Sequence, residues 1–327
     1  MKKVFILCIA VLFIFTGCGK EQEENKNIED EVVILNIAYQ YGLAYAPLIV
    51  AQNQGLIEKA YKNITGKDVT VVWNQMSSGA DINTGIASGS LDVGFMGIAP
   101  AITGVTKGVG YKIFTNLSGQ EHCLMTNNIN ITSFDDLIGS KYQIALVNVG
   151  SFQHIILAKA LYNSGYDSHI LDSNIVAMKH PDGMTALESG SIACHLTSSP
   201  YIYMERANEN LYEIKAVTET WKKENSFIVG VASENLYNNN EKLYQALCDA
   251  IKDAIDYLNN NMEETAKLTC EFNGNNVEDE LEYLQQGSYT IETKGIFEFA
   301  SFMAETGFID QALESYSDLV FENVIGN

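Results

Sequence analysis

The sequence predicts an α/β protein of two domains, each built on a mostly parallel sheet. Short apolar segments alternate with helix-start signals up to about residue 220, which is typical of parallel sheets covered by helices on both faces. From about Ser233 to the C-terminus the pattern is mostly helical. The length of 327 residues fits two domains of ordinary size.

The predicted strands are short apolar runs, many of them rich in β-branched residues. Each is followed by a helix signal or a turn. In chain order they are Ile34–Tyr39, Val69–Trp73, Asp92–Met96, Tyr111–Leu117, Tyr142–Val147, Ile175–Met178 and Ile192–Leu196.

The helix starts are predicted from proline, serine, aspartate and histidine at positions that suit a cap or a first turn. These residues are Pro47, Asp81, Pro100, Ser133, Ser151 and His180. Ser133 and Asp136 have the spacing of a capping box. In the C-terminal part, one helix is expected to bury the stripe Leu243, Leu247, Ile251, Ile255 and Leu258.

The N-terminus has the features of an export signal. Lys2 and Lys3 precede the apolar run Val4–Phe15, which is followed by Thr-Gly-Cys. Residues 1–17 are therefore predicted to be a signal peptide. The ending Phe-Thr-Gly-Cys resembles a bacterial lipobox, which implies cleavage before Cys18 and lipid on its thiol.

Residues 18–31 are rich in Glu, Asn and Lys and are expected to form a flexible, lipid-anchored tether. No later segment approaches 18 consecutive apolar residues. Four further cysteines leave three disulfide pairings open, with free buried thiols as the alternative; they are Cys123, Cys194, Cys248 and Cys270.

The charge balance excludes broad classes of partner. The chain has 20 basic and 41 acidic residues, for a net charge of −21. Such a charge argues against nucleic acid or an anionic membrane surface as a partner. Arg206 is the only arginine, so no arginine cluster is available for an anionic ligand.

Small and hydroxylated residues follow four of the predicted strands. In open α/β sheets ligands bind beyond the carboxyl ends of the strands, where helix N-termini offer N–H groups and a positive dipole end. These junctions predict a site that holds an anion without arginine, although each alone would also suit a helix cap. The residues are Ser77, Ser78, Gly79, Gly97, Gly150, Ser151, Thr197 and Ser198.

A phenol-rich segment follows the first strand. Tyr39, Tyr41 and Tyr45, with Gln40 among them, are expected to line a small-molecule cleft. His154, one turn into its helix, is expected near the same cleft.

The sequence offers no metal, cofactor or catalytic motif. His122-Cys123 and Cys194-His195 place soft ligands side by side, but adjacent strand residues face opposite ways. No C-x-x-C, H-E-x-x-H or nucleophile-elbow spacing is present. We therefore expect no metal, no cofactor and no enzymatic activity.

Several segments resemble the substrate-binding proteins of nitrate/sulfonate/taurine-type ABC importers. The resemblance covers about residues 34–220, and its segments are Ile37–Gln40 through Pro47-Leu48 and Gly55-Leu56, Val72-Trp73 through Ser78-Gly79, Ala87–Gly94, Gly97 with Pro100, and Gly150-Ser151 with His154.

The resemblance implies a two-lobed fold of the periplasmic-binding-protein type II, with a helical C-terminal segment. Lobe 1 is expected to comprise residues 32–120 plus 219–327, and the inserted lobe 2 residues 121–218. The protein is expected to be a monomer, and the lipobox-like ending implies that it is anchored on the extracytoplasmic face of the cell membrane only through lipid on Cys18. By the same resemblance, the protein is expected to close its two lobes on an alkanesulfonate-like or taurine-like anion and to deliver this anion to an ABC permease and its ATPase.

The sequence differs from the usual pattern of sulfonate binders at two places, so other functions stay open. Ile98 and the Thr197–Ser199 segment stand where sulfonate binders often carry Asp and Trp. The first alternative is a flat heterocycle, such as a thiamine pyrimidine precursor, held by the tyrosines. The second is an enzyme that resembles thiamine-pyrimidine synthases, and the third is a surface sensor without a transport role.

Overall fold

The computed structural model describes residues 32–327 and contains two five-stranded sheets flanked by helices. The predicted signal peptide, Cys18 and the tether to residue 31 lie outside the described residues. In the described part of the chain, no helix combines the length and the apolar character needed to cross a bilayer.

The first sheet has the strand order β2-β1-β3-β10-β4. Because β1 is parallel to β2 and β3, while β10 is antiparallel to both β3 and β4, β10 alone runs in the reverse direction. Its strands are β1 (Val33–Tyr39), β2 (Val69–Gln75), β3 (Val93–Gly97), β4 (Tyr111–Ser118) and β10 (Ile228–Ser233).

The second sheet has the order β7-β6-β8-β5-β9 and repeats this pattern. Here β6 is parallel to β7 and β8, and β5 alone is reversed. The prediction of mostly parallel sheets is confirmed. The strands are β5 (His122–Thr126), β6 (Ile144–Leu146), β7 (Ile175–Ala177), β8 (Cys194–Ser198) and β9 (Tyr212–Ile214).

Twelve α-helices in the described residues cover these sheets. They are α1 (Ala46–Gln54), α2 (Leu56–Thr65), α3 (Gly79–Ala87), α4 (Ile98–Thr106), α5 (Phe152–Asn163), α6 (His180–Glu188), α7 (Tyr201–Arg206), α8 (Glu234–Asn239), α9 (Glu241–Asn260), α10 (Met262–Asn273), α11 (Val277–Gln286) and α12 (Ile296–Glu305). The helical C-terminal part begins after Ser233, whose side chain caps α8, and α9 buries the predicted apolar stripe.

All seven predicted strands are present, with ends shifted by at most two residues. The sequence did not predict β5, β9 and β10, which include both reversed strands. It also placed the cap of α3 at Asp81, which is wrong: Ser78 is the N-cap, and its side chain accepts a hydrogen bond from the Asp81 N–H. Ser133 and Asp136 form the predicted capping box on a single turn, Phe134–Asp136.

The chain passes between the sheets twice, once between β4 and β5 and once between β9 and β10. Because β10 and β5 are reversed, their amino ends lie at the same sheet edges as the carboxyl ends of the other strands. The lobe boundaries at residues 120/121 and 218/219 stay predictions, but these two passages position the edges of the two sheets around one cavity.

Candidate functional site

The cavity between the two sheet edges has a volume of about 490 Å³. Residues at the ends of β1, β3, β6 and β8 line it, as do Phe227 and Ile228 at the start of β10. This is the place where open α/β sheets bind ligands. The volume suits a small molecule.

The segment after β1 forms one wall. Gln40, Tyr41 and Tyr45 line the cavity, and the Tyr45 hydroxyl donates to Gln40 Oε1 at 3.2 Å. Burial raises the pKa of Tyr45. Tyr39 is buried under this wall, where its ring contacts Trp73 with a centroid distance of 6.1 Å. Only Tyr41 is open to solvent, with 54% of its surface exposed.

Glycines at the starts of α3 and α4 let the backbone approach the cavity closely. A Cβ atom on Gly79 would lie 2.5 Å from Pro100 Cγ, and one on Gly97 would lie 3.2 Å from Phe152 Cβ. Both glycines line the cavity. Ser78 lies beside them, but its hydroxyl is engaged by Asp81, to whose Oδ2 it donates at 2.8 Å.

The loop before α5 forms the facing wall. Ser151 caps α5, since its Oγ accepts from the His154 N–H at 3.3 Å. The Gly150 N–H donates to His154 Nδ1 at 3.0 Å, and His154 Nε2 lies 3.0 Å from Asp172 Oδ1. His154 thus accepts at Nδ1 and donates at Nε2, as a neutral imidazole does. These hydrogen bonds hold the loop before α5 and the start of α5 in a fixed arrangement.

The end of β8 completes this wall. Ser198 and Ser199 line the cavity, and Ser198 Oγ lies 3.2 Å from His180 Nε2. Thr197 is fully buried and opposite Cys123 of β5.

All five histidines of the chain lie in or directly behind this cavity. His154, His169 and His180 line it. His195 lies behind His180, with 3.1 Å between His195 Nε2 and His180 Nδ1. His122 packs between Phe152 and Phe227, at centroid distances of 4.8 and 4.4 Å.

Burial sets the charge state of three of these histidines. Desolvation lowers the pKa values of His122, His180 and His195 to about 3, helped at His122 by His180 and at His180 by His195. The pKa of His169 is raised, first by the Thr306 carbonyl and then by Asp172. Both partners are acceptors, at 2.8 Å from its two ring nitrogens, so His169 is an imidazolium.

Two lysines lie at the cavity, whereas the arginine is held by two glutamates. Lys107 lines the cavity, and Lys179 Nζ lies 5.7 Å from the centroid of the Tyr41 ring. Arg206 is held by Glu121 and Glu213 through four hydrogen bonds. Within residues 32–327, no cluster of three His, Cys, Asp or Glu side chains is arranged to hold a metal ion. The four cysteines there are free thiols.

The cavity brings together nine of the predicted ligand-binding residues: Gln40, Tyr41, Tyr45, Gly79, Gly97, Gly150, Ser151, His154 and Ser198. Tyr39, Ser77, Ser78 and Thr197 are not among its lining residues. Whether any of the thirteen binds a ligand stays a prediction.

The cavity is also lined by residues that were not predicted from the sequence to bind a ligand. Those with polar or aromatic side chains are Asn83, Thr103, Lys107, Asn148, Phe152, Gln153, His169, Asp172, His180, Ser199, Phe227 and Phe308. A signal existed for His180, since the sequence placed it at a helix start, and it is the first residue of α6. Phe308 comes from the segment after α12, where no strand-to-helix junction marks it.

Comparisons with known proteins identify the family of this chain. The model of the NMT1-like family matches residues 29–272. The chain is 27% identical over 210 residues to a putative aliphatic sulfonates-binding protein of Bacillus subtilis (strain 168), which is 63% of this chain and 59% of that protein. It is 24% identical to the taurine-binding periplasmic protein of Escherichia coli (strain K12), over 57% of this chain and 53% of that protein. The matches thus span little more than half of these relatives.

Solved structures share the fold over most of the chain. The alkanesulfonate-binding protein of Xanthomonas axonopodis pv. citri, bound to MOPS, has a TM-score of 0.72 at 14% identity, over 90% of this chain and 99% of that one. The periplasmic nitrate-binding protein of Synechocystis PCC 6803 has a TM-score of 0.68 at 14% identity, over 88% and 84%. A Candida albicans protein described as having the generic periplasmic binding protein fold has a TM-score of 0.68 at 14% identity, over 90% and 98%. The fold is therefore that of the periplasmic binding proteins, and the chain belongs to the NMT1-like family.

Proposed function

We propose that this protein is the extracytoplasmic solute-binding component of an ABC importer and that it captures a small organic anion in the cavity. The observation that carries the proposal is the convergence of four helix starts, those of α3, α4, α5 and α6, on one cavity between two sheet edges. The relatives named for sulfonate and taurine binding support the same class of ligand.

The helix starts supply the attraction for an anion. The first turn of an α-helix leaves N–H groups without an intrahelical acceptor, and at α5 these include the N–H groups of Phe152 and Gln153. Each dipole end favours a nearby negative charge by about 0.3–1 kcal/mol, and by up to about 2 kcal/mol when partly buried. Ser198 adds a hydroxyl donor. An arginine is not required.

Binding would close two lobes, made of residues 32–120 plus 219–327 and of residues 121–218. Two contacts support a closing movement of the sheet edges. Lys179, at the start of α6, lies over the ring of Tyr41 after β1, and Gly97 at the end of β3 faces Phe152 in α5. A ligand that contacts both edges stabilises the closed form over the open one.

Delivery to a permease and its ATPase is the proposed fate of the solute. Export by residues 1–17, lipidation at Cys18 and a monomeric state complete the proposal. We propose no bond chemistry, because the relatives and neighbours named here are binding proteins by their descriptions.

A flat heterocycle is a second candidate ligand, and the aromatic lining favours it. Tyr41, Phe227 and Phe308 present rings to the cavity. Of the phenols in the first loop, only Tyr41 is well exposed, so stacking on that side would rest mainly on this residue.

A thermal-shift panel tests the proposal on protein that starts after Cys18, in buffer free of phosphate and sulfate. The panel holds ethanesulfonate, taurine, nitrate, bicarbonate, a thiamine pyrimidine and riboflavin. At 1 mM, a ligand with a micromolar dissociation constant adds about 4 kcal/mol, which raises Tm by roughly 2–4 °C per kcal/mol. We expect the shift from a sulfonate. A shift from the heterocycles alone would favour the second candidate, and no shift would contradict both.

A pair of variants locates the site. Ala80 in the first turn of α3 is exposed and lines the cavity, so Ala80→Trp should fill the space and abolish the shift. Ala87→Trp, at the exposed end of the same helix, should leave the shift intact. Gly79 is a poorer choice, because any side chain there would collide with Pro100.

A further inference from the structure

His180 is the outer end of a chain of titratable side chains that leads from the cavity into the interior. His180 Nδ1 lies 3.1 Å from His195 Nε2, and His195 Nδ1 lies 2.6 Å from Glu205 Oε1. The side chains of His195 and Glu205 are 0% exposed. His180 Nε2 lies 3.2 Å from Ser198 Oγ and 3.3 Å from Nε2 of the Gln153 side-chain amide. The three side chains come from α6, β8 and α7, so the fold assembles them.

The packing around these three side chains is tight, and among the described residues no lysine or arginine acts on the pKa of His180, His195 or Glu205. Gly183 makes room for His195, because a Cβ atom there would lie 2.7 Å from His195 Nε2. His122 and the ring of Tyr201 face His180 from β5 and α7. Glu188 is the acidic neighbour that acts on Glu205. Glu205 Oε2 has no hydrogen-bond partner.

Each neutral imidazole carries one N–H, and a proton on Glu205 Oε2 would have no acceptor. Two arrangements of neutral imidazoles then remain. In the first, ionised Glu205 accepts from His195 Nδ1–H, His195 Nε2 accepts from His180 Nδ1–H, and His180 shows a bare Nε2 to the cavity. In the second, protonated Glu205 donates to His195 Nδ1, His195 Nε2–H donates to His180 Nδ1, and His180 shows Nε2–H to the cavity. The second holds one more proton and has no net charge.

Burial selects the second arrangement at neutral pH. An ionised carboxyl group that is out of water and has no cation beside it is strongly disfavoured. Desolvation, followed by Glu188, raises the pKa of Glu205 to about 9. Both imidazoles stay neutral, because burial lowers their pKa values. Ser198 Oγ then accepts from His180 Nε2–H when the cavity holds no ligand. In this arrangement the Gln153 amide is turned so that its Oε1, which accepts, faces His180 in place of Nε2, which donates.

We propose that Glu205 and His195 are positioning residues that hold His180 as the Nε2–H tautomer, so that this wall of the cavity offers a hydrogen-bond donor to an oxygen-bearing anion. This inference rests on the proposed function and deepens it, because it names His180 as a determinant of ligand class. At high pH Glu205 loses its proton and both histidines change tautomer. His180 Nε2 then becomes a hydrogen-bond acceptor towards the cavity, with the negative charge of Glu205 behind it.

Nitrogen-15 NMR of histidine-labelled protein tests the proton positions without a ligand. The chain has only five histidines, so single His→Gln variants assign the signals. At pH 7 we expect both His180 and His195 as neutral Nε2–H tautomers. They should change together to Nδ1–H near pH 9, where Glu205 loses its proton. An Nδ1–H tautomer or an imidazolium at pH 7 for either residue would overturn the proposal.

Glu205→Gln separates proton control from simple packing. The glutamine amide donates to His195 Nδ1 but cannot ionise, so both histidines should stay Nε2–H up to pH 10. Glu209→Gln removes an exposed acid from the turn after α7 and should switch as the unchanged protein does. A Glu205→Gln protein whose histidines still change tautomer near pH 9 would contradict the assignment. Far-UV circular dichroism shows whether each sample is folded.

Titration calorimetry with ethanesulfonate then links the chain of side chains to binding. Affinity should be constant from pH 6.5 to 8 and should fall towards tenfold per pH unit above about pH 9, as loss of one linked proton requires. The affinity of the Glu205→Gln variant for ethanesulfonate should not change over this pH range. If ethanesulfonate fails to bind at pH 7, the proposed ligand class is wrong, while the NMR result still decides the proton positions. Binding with equal pH profiles in both proteins would overturn the role of Glu205 in recognition.

Discussion

His122 is a polar side chain enclosed by aromatic rings at the passage from β4 to β5. Its Nδ1 lies 3.2 Å from the Gln120 carbonyl oxygen, and its Nε2 has no hydrogen-bond partner. A charge there would be far from water, so burial lowers the pKa of His122 to about 3. The residue stays neutral in the folded protein at any pH above that value.

This lowered pKa makes stability fall in acid. Above about pH 6.5, the ordinary histidine value, His122 is neutral in both the folded and the unfolded chain. Between pH 6.5 and 3 only the unfolded chain takes up the proton. The contribution of His122 to the free energy of unfolding is therefore fully present above pH 6.5 and is lost as the pH falls.

We predict that His122→Phe removes about 1.4 kcal/mol per pH unit from the slope of unfolding free energy against pH between 6 and 4.5. Urea denaturation at several pH values measures this slope. His169→Gln is the control, because the pKa of His169 is raised. Its contribution is complete below pH 6.5 and is lost only as the pH rises, so that variant should keep the acid slope. Equal slopes for His122→Phe and the unchanged protein would contradict the prediction.

At the scale of elements, α12 connects the two sheets. The segments on either side of α12 are tied to β4, through the Asn116 N–H to the Ile291 carbonyl at 3.1 Å and through the pairing of Ile113 with Val320. The helix itself packs on α5 beside the second sheet. Phe299 stacks on Phe152 with a centroid distance of 5.3 Å. Because Phe152 lines the cavity, α12 supports the site from behind.

We predict that Phe299→Ala destabilises the protein by about 3–5 kcal/mol, the usual cost of a large cavity in a core. Phe299 is fully buried, and Trp221 also contacts it, at a centroid distance of 5.1 Å. Urea denaturation measures the loss. Phe272→Ala in α10, where the residue is 65% exposed, should cost less than about 0.5 kcal/mol. A loss at Phe299 as small as that at Phe272 would show that α12 does not support α5.

Helix starts could be predicted because the signal is local. Ser151 and Ser133 cap the elements that the sequence assigned to them, since a cap needs only a side-chain oxygen and the next three residues. The strand β10 was missed although Ile228–Ser233 is apolar, because its length alone does not separate a buried strand from a helix segment. Its reversed direction depends on partners more than 100 residues earlier in the chain.

The difference between local signals and long-range packing also explains which residues of the site could be predicted. The glycine and serine residues at strand ends were predictable, because junction chemistry marks them in the sequence. His169, Asp172 and Phe308 were not, because they reach the cavity from loops whose positions follow from tertiary packing. The chain from His180 to Glu205 also needed three elements to be brought together before any hydrogen bond could be seen.

At the scale of the whole molecule, charge opposes the proposed ligand. The chain carries a net charge of −21, so an approaching anion is repelled at long range. Salt screens this repulsion, with a Debye length of about 10 Å at 0.1 M. The donors of the cavity act only at short range, after the ligand has entered, and salt weakens them much less.

We therefore predict that the association rate of ethanesulfonate rises as KCl is raised from about 20 to 300 mM, while the dissociation rate changes little. Stopped-flow tryptophan fluorescence measures both, because Trp221 lies behind Phe152 at a centroid distance of 6.1 Å. Taurine, a zwitterion near neutral pH, is the matched control, and its association rate should be nearly independent of salt. An ethanesulfonate rate that falls with salt would show that Lys107 and Lys179 at the cavity outweigh the net charge and steer the anion inward.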